Sequence, residues 1–166
     1  MADLELLDKS IRRVQDFPKP GILFYDITSV FVNPEAFKYC IDKMVEIYKD
    51  SEIEAIAGVD SRGFLFAAPL AEKLGIPMVL IRKKGKLPGK TIQQSYDLEY
   101  GSDTIEIHAD SVNKGDSILI IDDLIATGGT CIGAINLFNQ IGAKIYETAF
   151  VVDLPELGGA KKIQDM

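Results

Sequence analysis

Short apolar runs alternate with helical patterns along most of this chain. The run Ile118–Ile121 is unbroken, as is typical of a parallel strand that is covered on both faces, and the others are largely apolar. The runs lie at Ile53–Val59, Met78–Ile81, Ile118–Ile121 and Ile145–Val152. Between them, apolar residues recur at intervals of three and four, as on one face of a helix. This alternation predicts an α/β domain with a central parallel sheet and helices on both faces.

The N-terminal third departs from this alternation. Apolar residues at helical spacing predict a first helix over 3–14. Two prolines and a glycine then predict an irregular segment over 16–28. Asn33 supplies a cap and Pro34 a first-turn proline for a second helix. Further along, Gln93–Tyr100 and Asp103–His108 flank a Gly-Ser turn, which predicts a hairpin over the sheet.

Composition limits the classes of protein to consider. The 166 residues are 47% hydrophobic and 26% charged, as in an ordinary single globular domain. No apolar stretch approaches the roughly 20 residues that span a bilayer, and the N-terminus has acids where a signal peptide has basic residues. We therefore expect no membrane association and a cytoplasmic location. The net charge of −7 argues against nucleic-acid binding.

The segment that carries most chemistry follows the apolar run 118–121. Asp122 and Asp123 come directly after it, which predicts a carboxylate pair at the end of a buried strand. Thr127–Thr130 follow, where glycines permit close approach and a helix start points N–H groups at an anion. Two glycines alone would fit any strand, turn and helix equally well. Together with the acids, they predict a phosphate site beside a carboxylate pair.

Two other strands end in polar sequence. Asp60–Gly63 follow one strand, and Arg82–Gly85 follow the next. Because ligands of such sheets bind outside the carboxyl ends of the strands, we expect these ends and the acid pair to form one anion site. Taken alone, the basic residues of 82–90 would also fit a solvated lysine-rich loop.

The full string Ile120–Thr130 resembles the phosphoribosyl pyrophosphate signature of the type I phosphoribosyltransferases. Four further segments narrow this resemblance to the adenine phosphoribosyltransferases, in the right order from about residue 10 to 153. Asp16–Phe24 are similar to that family's base-binding hood, and Gly58–Phe64 to its pyrophosphate loop. Arg82–Gly89 are similar to its basic segment, and Ser95–Gly101 to its mobile catalytic hairpin.

The resemblance implies the type I phosphoribosyltransferase fold in a single domain, 1–166. Residues 1–33 would hold the N-terminal helix and hood, and 92–108 the flexible hairpin. Family members usually continue with another strand after the segment 157–162. The resemblance also implies a homodimer.

The implied reaction joins adenine and phosphoribosyl pyrophosphate to give AMP and pyrophosphate, with Mg²⁺. Magnesium would be held mainly by substrate and water, with no direct protein ligand. Asp122 and Asp123 would fix the ribose hydroxyls and stabilise the cationic sugar. Glu99 would protonate N7 of adenine as a general acid. Tyr100 would reach the pyrophosphate side.

The resemblance also implies three sets of binding residues. The 5′-phosphate would be held by Ala126, Thr127, Gly128, Gly129 and Thr130. Pyrophosphate would be held by Asp60, Ser61, Arg62, Arg82 and Lys83, with a non-proline cis peptide at Asp60–Ser61. Adenine would be held by Leu23, Phe24 and Arg62.

Two alternatives remain. One is a transferase on the same core for another base, such as xanthine, guanine or orotate. The other is a non-catalytic regulator that senses nucleotides. A regulator would need a nucleic-acid-binding appendage or a basic face, and would be expected to lack the hairpin that carries Glu99, which is present.

Overall fold

The computed structural model describes residues 2–97 and 101–166, with side chains from Leu4 onward. Within them the chain forms two compact units, Met1–Lys49 and Asp50–Met166. The elements of the first unit are α1 (Ala2–Ser10), β1 (Arg12–Gln15), β2 (Leu23–Asp26), α2 (Thr28–Phe31) and α3 (Pro34–Tyr48).

The predicted first helix over 3–14 is too long. Arg12–Gln15 instead pair antiparallel with Leu23–Asp26, in a register that runs from Arg12–Asp26 to Gln15–Leu23. The segment predicted to be irregular therefore contains a strand. The spacing of apolar residues did not predict this pair of strands, because each strand is stabilised by hydrogen bonds to residues about ten positions away along the chain.

The predicted start of the second helix is confirmed. The Asn33 side chain accepts a hydrogen bond from the Ala36 N–H at 3.2 Å, and Pro34 occupies the first turn. Apolar residues at helical spacing form the covered face of this helix: Ile41, Met44 and Tyr48 are buried. Phe37, on the same face, is only partly covered.

The second unit contains the predicted alternation of strands and helices. Its elements are β3 (Ala55–Val59), α4 (Arg62–Leu74), β4 (Met78–Lys83), β5 (Thr91–Asp97), β6 (Ser102–His108), β7 (Ser117–Ile125), α5 (Gly129–Ile141), β8 (Lys144–Asp153), a 3₁₀ turn (Pro155–Leu157) and α6 (Gly159–Gln164). In the described part of this unit, the strands form a sheet in the order β5-β6-β4-β3-β7-β8. The pairs among β4, β3, β7 and β8 are parallel, which confirms the predicted α/β class.

Helices cover both faces of this sheet, as predicted. On one face, the core cluster joins Ala57 and Ile120 of the sheet to Phe138 of α5. Successive residues of a strand point to opposite faces. Gly58 accordingly faces α4, where an added Cβ would lie 2.9 Å from the Cβ of Ala67.

The hairpin extends the sheet instead of lying over it. β6 pairs antiparallel with β4, through Arg82–Glu106 and Lys83–Ile105. β5 then pairs with β6 along its whole length, from Thr91–His108 to Asp97–Ser102. Pairing satisfies backbone groups of β4 that would otherwise form an open sheet edge.

Asp122 and Asp123 lie within β7, which continues to Ile125, whereas the sequence predicted them at the end of the strand. Pairing of β7 with β3 stops at Gly58–Ile121, but pairing with β8 continues to Ile125–Asp153. The neighbouring strand β8 therefore fixes the backbone of both acids, while their other side faces the loop that follows β3.

Among the described helices, we find none with both the length and the apolar character needed to cross a membrane.

Candidate active site

The two acids of β7 differ in their surroundings. Asp123 is only 3% exposed, and its Oδ2 accepts a hydrogen bond from Nε of Arg62 at the start of α4. Asp122 Oδ1 accepts the backbone N–H of Asp123 at 2.8 Å. Burial, followed by repulsion from Asp123, raises the pKa of Asp122 to about 8. The site therefore disfavours simultaneous ionisation of the two acids.

A glycine allows this pairing between α4 and β7. A Cβ at Gly63 would lie 2.7 Å from the carbonyl oxygen of Ile121 and 3.1 Å from Oδ1 of Asp122. Any larger residue would push the start of α4 away from the acids. Gly63 thus lets Arg62 reach Asp123.

The glycine loop after β7 leads into α5. Gly128 has a φ of 83°, in the left-handed region that favours glycine. The N–H groups of the first turn of α5 have no partner within the helix and suit an anion. Ala126–Thr130 line a cavity of about 200 Å³ together with Arg62, Asp122 and Asp123. The residues predicted to hold phosphate and ribose therefore lie together.

The C-terminal segment, through residues of α6, contacts this glycine loop. The Gly159 N–H donates to the Ala126 carbonyl at 3.0 Å, and Nζ of Lys162 donates to the Thr127 carbonyl at 3.2 Å. A Cβ at Gly159 would lie 2.3 Å from the Ala126 oxygen. These contacts hold two carbonyl groups of the loop, those of Ala126 and Thr127, against the C-terminal segment.

A second cavity, of about 390 Å³, adjoins the first. The two share Arg62, Asp122, Asp123 and Thr130. The second adds Asp60, Ser61 and Lys83, which are among the predicted pyrophosphate residues. The Asp60–Ser61 peptide is cis, as the resemblance implies.

Acidic partners hold the cations of this second cavity. Arg82 reaches the site through Asp60, because its Nε donates to Asp60 Oδ2 at 3.0 Å. Nζ of Lys83 lies 2.9 Å from Oδ2 of Asp103. Their hydrogen bond raises the pKa of Lys83 and lowers the pKa of Asp103. An incoming polyanion must therefore compete with carboxylates for these cations.

Sequence reasoning gave no role to Tyr96 or Asp103, although both line the second cavity. They lie opposite each other in the β5–β6 ladder. The Tyr96 hydroxyl lies 3.5 Å from Thr130 Oγ1, and a Cβ at Gly133 would lie 2.9 Å from the Tyr96 ring. The hairpin register was the signal that could have found this pair, since it puts two polar side chains on one face.

Five of the predicted residues are not among the described residues that line these cavities: Arg82, which contacts the lining residue Asp60, and Leu23, Phe24, Glu99 and Tyr100. Glu99 and Tyr100 fall outside the described residues. Leu23 and Phe24 belong to the first unit, in β2. Leu23 is 40% exposed, and the Phe24 ring packs edge-to-face on Phe17 with centroids 5.0 Å apart. Leu23 therefore presents apolar surface to solvent.

The oxygen atoms of the site are of the kind that binds magnesium. Asp122 and Asp123 offer the carboxylate oxygens that Mg²⁺ prefers. Over 2–97 and 101–166, however, no group of three or more His, Cys, Asp or Glu side chains is placed to hold a metal ion. Because Mg²⁺ usually keeps several waters and binds substrate phosphates, the two carboxylates would suit an ion held mainly by substrate and water.

Residues 26–165 match the family model described as phosphoribosyl transferase domain. An adenine phosphoribosyltransferase of Treponema denticola is 55% identical, over 98% of this chain and 85% of its own length. The crystal structure of the Rhodothermus marinus adenine phosphoribosyltransferase superposes with a TM-score of 0.89 at 45% identity, covering 97% of this chain and 92% of that one. The Saccharomyces cerevisiae enzyme, solved with an imino-altritol bisphosphate and adenine, gives 0.90 at 39% identity, covering 97% and 94%. The chain therefore belongs to the phosphoribosyltransferase family, among the adenine phosphoribosyltransferases.

Proposed function

We propose that this chain transfers the 5-phosphoribosyl group from phosphoribosyl pyrophosphate to adenine, giving AMP and pyrophosphate. One observation carries the proposal: the acid pair and the glycine loop line one cavity, which shares Arg62 and both acids with a second, cation-bearing cavity. A sugar whose two ends carry phosphate and pyrophosphate needs such adjoining anion sites with carboxylates between them. The adenine held by the yeast relative supports adenine as the acceptor.

The first cavity would bind the ribose 5-phosphate portion. Ala126–Thr130 supply N–H groups and two threonine hydroxyls for the 5′-phosphate. Asp122 and Asp123 accept hydrogen bonds from the ribose hydroxyls. As pyrophosphate departs, positive charge develops on the sugar, and the negative charge at the acid pair stabilises it. The acids act by position and charge, and transfer no proton.

The second cavity would bind pyrophosphate through the peptide of Asp60–Ser61 and the cations Arg62, Arg82 and Lys83. Each cation has a carboxylate partner in the ligand-free protein, namely Asp123, Asp60 and Asp103 respectively. Those partners reduce the net positive charge available to a polyanion. Mg²⁺ bound to the substrate would neutralise part of the pyrophosphate charge.

Leu23, Phe24 and Arg62 would bind adenine, and the exposed surface of Leu23 supports a ligand contact. Backbone groups near Leu23 offer a donor and an acceptor to the N1/N6 edge of adenine. Hypoxanthine reverses that pattern, so its binding would leave buried polar groups mispaired. Glu99 would act as the general acid at N7, and Tyr100 would act on the pyrophosphate side.

Three further properties belong to the same proposal. Residues 1–166 would act as one phosphoribosyltransferase domain. The chain would form a homodimer, which analytical ultracentrifugation tests. The protein would act in the cytoplasm, which fractionation of the source cells tests.

Pyrophosphate release with adenine, phosphoribosyl pyrophosphate and Mg²⁺ tests the activity. We expect turnover by the unmodified protein, and a loss of roughly 10²-fold or more in Asp123→Asn, because the substitution removes charge stabilisation in the transition state. Asp110→Asn, which changes an exposed acid, is the matched control and should retain full rate. Binding of phosphoribosyl pyrophosphate without release of pyrophosphate would favour the regulator instead.

A further inference from the structure

Glu106 is a buried acid to which neither the resemblance nor the proposed reaction gives a role. It lies in β6 and is only 2% exposed. Charged side chains are almost never buried to this degree unless they are paired or hydrogen-bonded. Its carboxylate therefore calls for an account of its partners.

The Glu106 carboxylate binds one end of the basic loop, which comprises residues 84–90. Oε1 accepts the backbone N–H groups of Lys86 and Leu87, both at 3.0 Å. Oε2 accepts the Thr91 hydroxyl and the Gln93 side-chain amide, both at 3.2 Å. Both oxygens are thus occupied, and four donors converge on one carboxylate.

These hydrogen bonds keep Glu106 ionised. Burial alone would raise its pKa, but hydrogen bonds from the Leu87 N–H, the Thr91 hydroxyl and the Lys86 N–H outweigh burial, and the pKa lies below its ordinary value. A glutamine would weaken these hydrogen bonds, because it carries no charge and only its oxygen accepts hydrogen bonds.

The loop is connected in turn to the pyrophosphate side of the site. Arg82 lies directly opposite Glu106 in the β4–β6 ladder. Its Nη1 donates to the Lys86 carbonyl at 3.3 Å, and its Nε donates to Asp60 Oδ2 at 3.0 Å. Glu106 holds the N–H side of the Lys86 residue, and Arg82 binds its carbonyl. Moving the loop would therefore release the guanidinium from one of its two supports.

We propose that Glu106 is a positioning residue for pyrophosphate: by fixing the basic loop, it holds Arg82 against Asp60 at the edge of the second cavity. The inference rests on the proposed function of that cavity. Glu106 itself contacts no substrate, and its effect passes through the Lys86 backbone and the Arg82 guanidinium.

Glu106→Gln tests the proposal. We expect the KM for phosphoribosyl pyrophosphate to rise roughly tenfold, the size of a lost hydrogen bond to a charged group. The KM for adenine should stay within about twofold, since adenine does not depend on this loop. Calorimetric titration with magnesium pyrophosphate should show a matching loss of affinity. Glu54→Gln is the control, because Glu54 also accepts a backbone N–H, that of Ser117 at 2.8 Å, and should leave both constants unchanged.

A purely structural role would lower the melting temperature of Glu106→Gln and leave both the KM and the pyrophosphate affinity of the folded protein unchanged. That result overturns the proposal. If Glu106→Gln does not fold, Thr91→Val removes one of the four donors and should raise the same KM about twofold to threefold; an unchanged KM then overturns it.

A double variant tests the route through Arg82. If Glu106 acts through Arg82, the effects of Glu106→Gln and Arg82→Lys on pyrophosphate affinity should fall short of adding, whereas fully additive effects refute the route. Calorimetry needs no turnover, so it separates this inference from the proposed reaction. If the proposed reaction is wrong, the unmodified protein will show no turnover. The pyrophosphate affinities of the variants will still decide whether Glu106 acts through Arg82.

Discussion

Replacing Asp122 with asparagine is expected to stabilise the ligand-free protein while it removes activity. The folded state raises the pKa of Asp122 from 3.8 to about 8, by burial and by repulsion from Asp123. At neutral pH the folded protein therefore holds a proton that the unfolded chain has released. Asparagine resembles the protonated acid in shape and keeps an oxygen that can accept the Asp123 N–H. It removes the cost of that protonation.

The magnitude follows from the shift in pKa. Each pKa unit corresponds to about 1.4 kcal/mol, and about three units separate the ordinary pKa from pH 7, which sets an upper limit of about 4 kcal/mol. Asp122 borders an open cavity, where water lowers the penalty for charge. We therefore expect a gain of roughly 1–3 kcal/mol, or about 3–10 °C in melting temperature for a chain of this size.

The effect should depend on pH with a definite sign. Because the folded pKa is raised, the acid form contributes stability that is greatest below about pH 4 and is lost as pH rises towards about 8. The advantage of Asp122→Asn over the unmodified protein should therefore grow across this range. Urea unfolding at several pH values measures it, with Asp110→Asn as the control. A variant that is less stable at pH 7, or an advantage that does not change with pH, would refute the reasoning.

Three further substitutions test other parts of the account. Gly133→Ala places a Cβ 2.9 Å from the Tyr96 ring, so we expect it to displace the hairpin and lower kcat/KM roughly tenfold. Adding Tyr96→Ala to this variant should recover stability. An unchanged kcat/KM in Gly133→Ala would show that this contact does not matter. Gly159→Ala places a Cβ 2.3 Å from the Ala126 oxygen, so the KM for phosphoribosyl pyrophosphate should rise while the KM for adenine stays unchanged. Equal changes in both KM values would argue against a specific effect on the glycine loop 126–130. Glu99→Gln should lower kcat about 10²- to 10⁴-fold, and full activity would remove the assigned general-acid role.

The sequence predicted those parts of the fold that depend on local pattern. The run Ile118–Ile121 is fully buried in the sheet, and the glycines at 128 and 142 both adopt the left-handed conformation at the ends of α5. Such features depend on apolar periodicity and on backbone freedom, both of which can be read from neighbouring residues. The phosphate loop was predictable for the same reason.

Features that depend on pairing between distant segments could not be predicted. Arg12–Gln15 follow a helical pattern in sequence, yet they pair with a strand about ten residues away. Ile105 and Ile107 alternate with polar residues, a pattern typical of a half-buried strand, but the basic loop hydrogen-bonds to Glu106 and its carboxylate is buried. Asp122 and Asp123 extend their strand because β8 continues alongside it, a length that the apolar run did not indicate.

Competition between bases tests the central claim most directly. The purified protein is given phosphoribosyl pyrophosphate, Mg²⁺ and equal concentrations of adenine, hypoxanthine, guanine, xanthine and orotate, and the nucleotides formed are separated and identified by mass. The account predicts AMP as the dominant product, with one pyrophosphate released for each AMP. No nucleotide, or a product dominated by another base, would contradict it.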